Sequence, residues 1–162
     1  MSNLTYKESI NEGCLKRIDS ILKKKEVDLS KRVFKENLLS AEQIKVLDDY
    51  KNFCVGGGSG RIKSLSTTVT ALCNMKTLGE FIKKPYKEVT RKDIERFSAF
   101  LKMSGKKDAY CASILIRVKS FYRWLYKTGE EYPAVVKWMK PQIKSEKIKF
   151  DDLPSEDDIK KL

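Results

Sequence analysis

The stretch that decides the fold is SILIRVKSFYRWLYKTG, residues 113–129. At 100° per residue, its apolar side chains fall on one side of a helix and its basic side chains on the other. The stretch therefore predicts an amphipathic helix over 109–129, with Asp108 as its N-cap and Gly129 as its end. The apolar stripe consists of Ile114, Leu115, Val118, Phe121, Tyr122 and Leu125. The basic face, a name kept below, consists of Arg117, Lys119, Arg123 and Lys127.

The charge of this helix is one-sided, because no acidic residue accompanies the four basic ones. Exposed helix faces usually mix the two signs, since opposite charges four residues apart add a few tenths of a kcal/mol. The same bias extends over residues 61–127, which hold 16 Lys and Arg against 5 Asp and Glu, while the whole chain has a net charge of +12. Such a concentration favours a polyanionic ligand over a merely solvated surface. A membrane surface could also attract this charge, but binding to it would need exposed apolar residues beside the lysines, and here the apolar residues belong to the inner stripe.

Helical periodicity recurs along almost the whole chain, so we predict an all-α fold: a bundle of four to five helices with a polar N-terminal helical arm. The motif SAEQ at 40–43 has the spacing of a capping box, and Thr90 with Asp93 caps a later helix. GGGSG at 56–60 lacks the Lys-Ser/Thr of a phosphate-binding loop and is interpreted as a flexible connector. The predicted helices cover 4–25, 31–38, 41–55, 64–82, a stretch from 90 to the SGKKD break at 104–108, 109–129 and a short one from 133 that stops before Pro141.

Composition narrows the chemistry. With 162 residues and 41% hydrophobic content, the chain buries one core rather than two. It has no apolar run that could span a membrane and no N-terminal signal pattern, so we expect a cytoplasmic protein. The chain has no histidine, the commonest general base and zinc ligand, and we expect neither catalysis nor a cofactor or metal here. The cysteines form no C-x-x-C pair and are interpreted as reduced core thiols: Cys14, Cys54, Cys73 and Cys111.

The helix at 64–82 has a second face made of short polar side chains. Such a surface permits close approach to a nucleic-acid groove, but a solvated face that tolerates threonine fits the pattern equally well. This face holds Lys63, Ser66, Thr67, Thr70, Asn74 and Thr77.

The order of these pieces resembles the N-terminal core-binding domain of tyrosine recombinases, the family of phage-type integrases and related resolvases. The resemblance covers residues 40–162 and is carried by LGEFIKKPYKEVTRKDIERFSAFL (78–101), the run from Ile114 to Trp124 ahead of a proline, and the closing LPSEDDI. The part after Tyr132 is most similar to archaeal members. A capped helix start at 153–162 further suggests a chain cut from a longer one.

The resemblance implies a SAM-like bundle that grips one side of duplex DNA while a catalytic domain closes the other side. It implies an N-terminal arm at 1–39, a DNA-binding domain at 40–140, and a linker with the start of a catalytic domain at 141–162. The family's catalytic set includes histidine, so none of the tyrosines here is assigned as nucleophile. The family implies a tetramer of the parent protein on DNA, and we expect the fragment alone to be a monomer.

Sequence analysis thus predicts a DNA-binding fragment of a site-specific recombinase, with basic side chains on phosphates and Thr70, Asn74, Arg117 or Arg123 at base edges. Two alternatives stay open: a standalone nucleic-acid-binding accessory protein, and a helical protein-interaction module with an acidic partner. The candidate DNA-contacting residues are Arg61, Lys63, Ser66, Thr67, Thr70, Asn74, Lys106, Lys107, Ser113, Arg117, Lys119, Ser120, Arg123 and Lys127.

Overall fold

The computed structural model describes residues 6–23, 38–58 and 60–141. Over these ranges the chain forms helices and turns without a strand, which confirms the all-α prediction. The helices are α1 (Tyr6–Leu22), α2 (Ala41–Val55), α3 (Leu65–Ile82), a 3₁₀ turn (Tyr86–Glu88), α4 (Arg91–Met103), α5 (Asp108–Leu125) and α6 (Ala134–Lys137). The predicted helix at 31–38 and the predicted linker after 141 lie outside the described residues, except Leu38, which belongs to no helix.

Two helices begin at the capping boxes that the sequence predicts. At α2, the Gln43 amide N–H donates to Ser40 Oγ (3.2 Å) and the Ser40 N–H donates to Gln43 Oε1 (2.8 Å). At α4, Thr90 and Asp93 make the same reciprocal pair. Because each box satisfies N–H groups that have no partner within the helix, these two boundaries are fixed by local sequence.

Gln43 also ties α2 to the end of α3. Its buried side-chain NH₂ donates to the backbone oxygens of Gly79 (3.2 Å) and Lys84 (2.9 Å). The two helices approach closely there, since a Cβ atom at Gly79 would lie 3.1 Å from Gln43 Nε2. The cap at the start of one helix therefore also fixes the end of another.

The core is centred on the apolar stripe of α5. Ile114, Val118 and Phe121 are buried, as the periodicity predicts. The KKPYKEV segment adds Tyr86 to the core, where it is buried and donates its hydroxyl to Met75 O (2.7 Å). Phe100 has the helical spacing of a core residue of α4 but is 45% exposed, and its ring centroid lies 4.9 Å from that of Phe81.

The predicted N-terminal arm contributes to this core over its described part. α1 packs against α3 and α2, and Ile18 and Ile21 are buried among core residues. All four cysteines are free thiols: Cys54 and Cys111 are buried, and Cys14 and Cys73 pack half-buried against the core.

Two predicted boundaries of α5 are wrong. Asp108 lies in the first turn rather than at the N-cap, which is Lys107. The helix ends at Leu125 rather than near Gly129, because Lys127 adopts the left-handed conformation (φ +52°) and the Thr128 N–H bonds back to Arg123 O (3.3 Å). This pairing is the usual C-terminal cap with lysine in the position that glycine normally takes.

Candidate nucleic-acid interface

Helix α5 packs against α3, α4 and α6 and leaves one side uncovered. The side chains left at least partly open on this side include three of the four members of the basic face, together with small or neutral neighbours. They are Ser113, Ile116, Arg117, Ser120, Arg123 and Lys127.

Basic groups from two distant parts of the sequence meet near Tyr50. The Lys63 Nζ lies 5.9 Å from the centroid of the Tyr50 ring. Burial raises the pKa of Tyr50, and the guanidinium charges of Arg117 and Arg123 act against that rise. The segment before α3 and the middle of α5 therefore contribute to one positive region.

Lys119 departs from its predicted role. It was placed on the solvent-facing basic face, but its Nζ donates to Met139 O (2.8 Å) and lies 4.2 Å from the centroid of the Tyr132 ring. Arg123 lies over the same ring at 5.3 Å. An ammonium group gains both from a carbonyl at the end of a helical turn and from an aromatic face, so Lys119 fastens the 132–139 segment to α5.

The basic face lacks acidic partners. No ion pair in the described part of the chain includes a residue of the basic face or Lys63; the pairs found elsewhere join, for example, Lys76 with Glu80, Lys84 with Asp93, and Arg91 with Glu95. Arg117 instead donates to Ser113 O (3.3 Å) within its own helix. The positive charge is therefore uncompensated and is available to a polyanion.

The polar face of α3 divides in two. Ser66, Thr67 and Thr70 are exposed, and the Thr70 hydroxyl donates to Ser66 O (3.0 Å), so its oxygen remains an acceptor. Asn74 was predicted on this face but is only 7% exposed, and its Nδ2 has no hydrogen-bond partner. Its neighbours at i−3 and i+4, Ala71 and Leu78, belong to the core, and Asn74 is carried inward with them.

The predicted Lys106 and Lys107 lie at the opposite end of α5 from Arg123 and Lys127. Lys106 Nζ sits 4.9 Å from the Tyr110 ring centroid, and Lys107 precedes the helix. An 18-residue helix is about 27 Å long, so the structure does not bring these two lysines to the region around Tyr50.

The segment at 56–60, expected to be a flexible connector, is a compact turn over its described residues. The Gly58 N–H donates to Phe53 O (3.1 Å) and the Lys63 N–H donates to Cys54 O (3.1 Å). Gly57 has φ +74°, a conformation that glycine adopts without strain. The turn carries exposed Arg61 and sets Lys63 beside Tyr50.

Sequence reasoning missed the aromatic residues that organise this region. Tyr50 has the spacing of a core residue of α2 with Leu47 and Cys54, which predicts its burial but not its charged neighbours. Tyr132 carries no signal at all, because its contacts come from Lys119 and Arg123, nine or more residues away.

Comparison with family models, with curated proteins and with solved structures finds no match for this chain. None of the helices in the described ranges is both long and apolar enough to cross a membrane. Within the same residues, no group of three or more potential ligands could hold a metal ion.

Proposed function

We propose that this protein binds duplex DNA through the exposed side of α5, joined by Lys63 and the start of α3. The observation that carries the proposal is the uncompensated positive charge of Lys63, Arg117, Arg123 and Lys127 on one side of the bundle. Phosphate neutralisation supplies most of the affinity of such surfaces.

The shape of α5 suits this role. Ser113 and Ser120 are small, and their hydroxyls donate to carbonyls of the same helix, to Tyr110 O (2.8 Å) and Ile116 O (3.2 Å). The backbone can therefore come close to a partner between the basic side chains. A single helix fits the major groove of B-form DNA, where Arg117 or Arg123 would reach base edges.

Within this function we propose the part of a core-binding domain in a tyrosine recombinase. The support is the order and spacing of the helical segments together with the all-helical bundle. The chain would then supply affinity and register, and cleavage would belong to a catalytic domain, since the family's catalytic set needs a histidine that these residues lack.

Charge reversal on α5 tests the proposal. Arg123→Glu with Lys127→Glu should lower the affinity for random-sequence duplex DNA at least tenfold in a gel shift, because two phosphate contacts become repulsive. The melting temperature should fall only modestly, because Lys127 is exposed and the contact that Arg123 loses with the Tyr132 ring contributes about 0.5 to 1 kcal/mol.

The matched control reverses two exposed lysines on α2 and α4, Lys45→Glu with Lys92→Glu, with the same change in net charge. It should bind DNA nearly as the wild type does. Equal losses in both variants would mean that net charge alone attracts DNA. No binding of the wild type to DNA, with retained binding to polyglutamate, would favour the protein-interaction alternative.

A further inference from the structure

A second basic surface lies on another side of α5. A groove of about 750 Å³ runs between α4, the start of α5 and the segment 138–141. Its apolar lining is formed by Ala112, Leu115, Trp138 and Met139, and its charged lining by Lys102, Lys107 and Lys140 against Asp108.

The three lysines of this groove are exposed, and none forms an ion pair within the described residues. The Trp138 indole N–H donates to Val135 O (2.9 Å), which fixes the ring, and the Arg91 guanidinium lies 5.1 Å from the ring centroid. The groove thus combines a fixed apolar lining with excess positive charge. A suitable occupant carries apolar side chains next to several carboxylates.

The chain contains one segment with this composition. FDDLPSEDD, residues 150–158, has five acidic residues and no basic one, with Phe150 and Leu153 among them. We propose that residues 150–158 bind in the groove of the same molecule, with their carboxylates on the three lysines and their apolar side chains against Trp138 and Leu115.

The position of Pro141 favours binding within one chain. Pro141 itself lines the groove, and only eight residues separate it from Phe150. Extended chain spans up to about 3.5 Å per residue, so this tether reaches about 30 Å, enough to return along the groove. A short tether also gives an effective concentration in the millimolar range, at which even weak contacts are occupied.

The groove and the proposed DNA-binding side occupy different sides of α5. Ala112 and Leu115 line the groove, whereas Ser113, Arg117 and Ser120 lie about 100° or more around the helix from Leu115. Occupation of the groove leaves Arg117 and Ser120 open. The inference therefore holds or fails independently of DNA binding.

Zero-length crosslinking tests the inference. A carbodiimide joins a lysine amine to a carboxylate only when the two are in contact. In the full chain, peptide mapping should find the carboxylates of 150–158 joined to Lys102, Lys107 or Lys140 several times more often than to exposed Lys45 and Lys87. In a mixture of unlabelled and isotope-labelled protein, both peptides of each crosslink should carry the same label, because the contact is made within one chain.

An independent readout uses the chain's two tryptophans. Replacing the five acidic residues of 150–158 by Asn or Gln should shift the indole N–H signal of Trp138 in an NMR spectrum and leave that of Trp124 in place. Crosslinks spread evenly over exposed lysines, crosslinks mainly between chains, or an unmoved Trp138 signal would each overturn the inference.

Discussion

Phe121 connects the four aromatic rings around it. At the level of single residues, it is fully buried and contacts Tyr50, Tyr86, Tyr122 and Trp124, with centroid distances of 5.0 to 5.7 Å. These rings come from α2, the 3₁₀ turn and α5 itself. Removing the Phe121 ring therefore loosens three elements together.

Phe121→Ala should lower the free energy of unfolding by about 3 to 5 kcal/mol, the usual cost of a large cavity in a core. Urea denaturation followed by circular dichroism measures this loss. DNA binding should weaken only in proportion to the unfolded fraction. A variant that folds as stably as the wild type but no longer binds DNA would show that the two faces of α5 are assigned the wrong way round.

Asp93 gives the fold a defined response to acid. Its carboxylate bonds to Lys84 Nζ (2.6 Å) and to the Thr90 N–H (2.8 Å), and chiefly the Lys84 bond lowers the pKa of Asp93 to about 2. Because this value lies below that of an unfolded chain, the bonds stabilise the fold above about pH 4, and the contribution disappears as the pH falls towards 2.

Asp93→Asn should therefore cost stability at pH 7 and progressively less below pH 4. Thermal melts of both proteins across this range give the difference. A difference in stability that stays constant from pH 7 to pH 2 would mean that the carboxylate's charge contributes nothing.

Among the helices, the end of α5 offers a change that separates folding from binding. Lys127 holds a left-handed conformation (φ +52°) after the last turn, where glycine avoids the strain of a side chain. Lys127→Gly should raise the free energy of unfolding by up to about 1 kcal/mol and lower DNA affinity, because it removes a cation.

Lys83→Gly is the matched control, since Lys83 caps α3 with nearly the same backbone angle (φ +57°). It should give the same gain in stability without a loss of DNA affinity. Equal affinities for the two variants would exclude Lys127 from the interface.

Helix existence could be predicted from the sequence, and helix ends only where a local cap fixes them. α2 has the predicted bounds, and α3 begins at Leu65, one residue after its predicted start, because Ser64 is its N-cap. The predicted end of α5 is wrong. Glycine usually occupies the left-handed position after a helix, which predicts Gly129 as the end, but Lys127 adopts that conformation instead.

At the scale of the whole molecule, contacts between distant segments decide which predicted residues belong to the candidate site. Periodicity predicts that Arg117 and Arg123 lie away from the apolar stripe, and both side chains are half-buried. It could not predict that Lys119 donates to Met139 O and lies against the Tyr132 ring, or that Asn74 is buried, because contacts between distant segments decide both. A helical wheel describes one helix in isolation, whereas α5 packs against α3, α4 and α6.

Measuring the affinity for DNA at several salt concentrations tests the proposed interface most directly. If Lys63, Arg117, Arg123 and Lys127, together with two other cations, neutralise about six phosphates, affinity for a random-sequence duplex should fall about a thousandfold between 50 and 200 mM salt. Arg123→Glu with Lys127→Glu should flatten this slope, and Lys45→Glu with Lys92→Glu should preserve it. An affinity that hardly changes with salt, or a slope that the α5 variant leaves intact, would contradict binding of DNA by this surface.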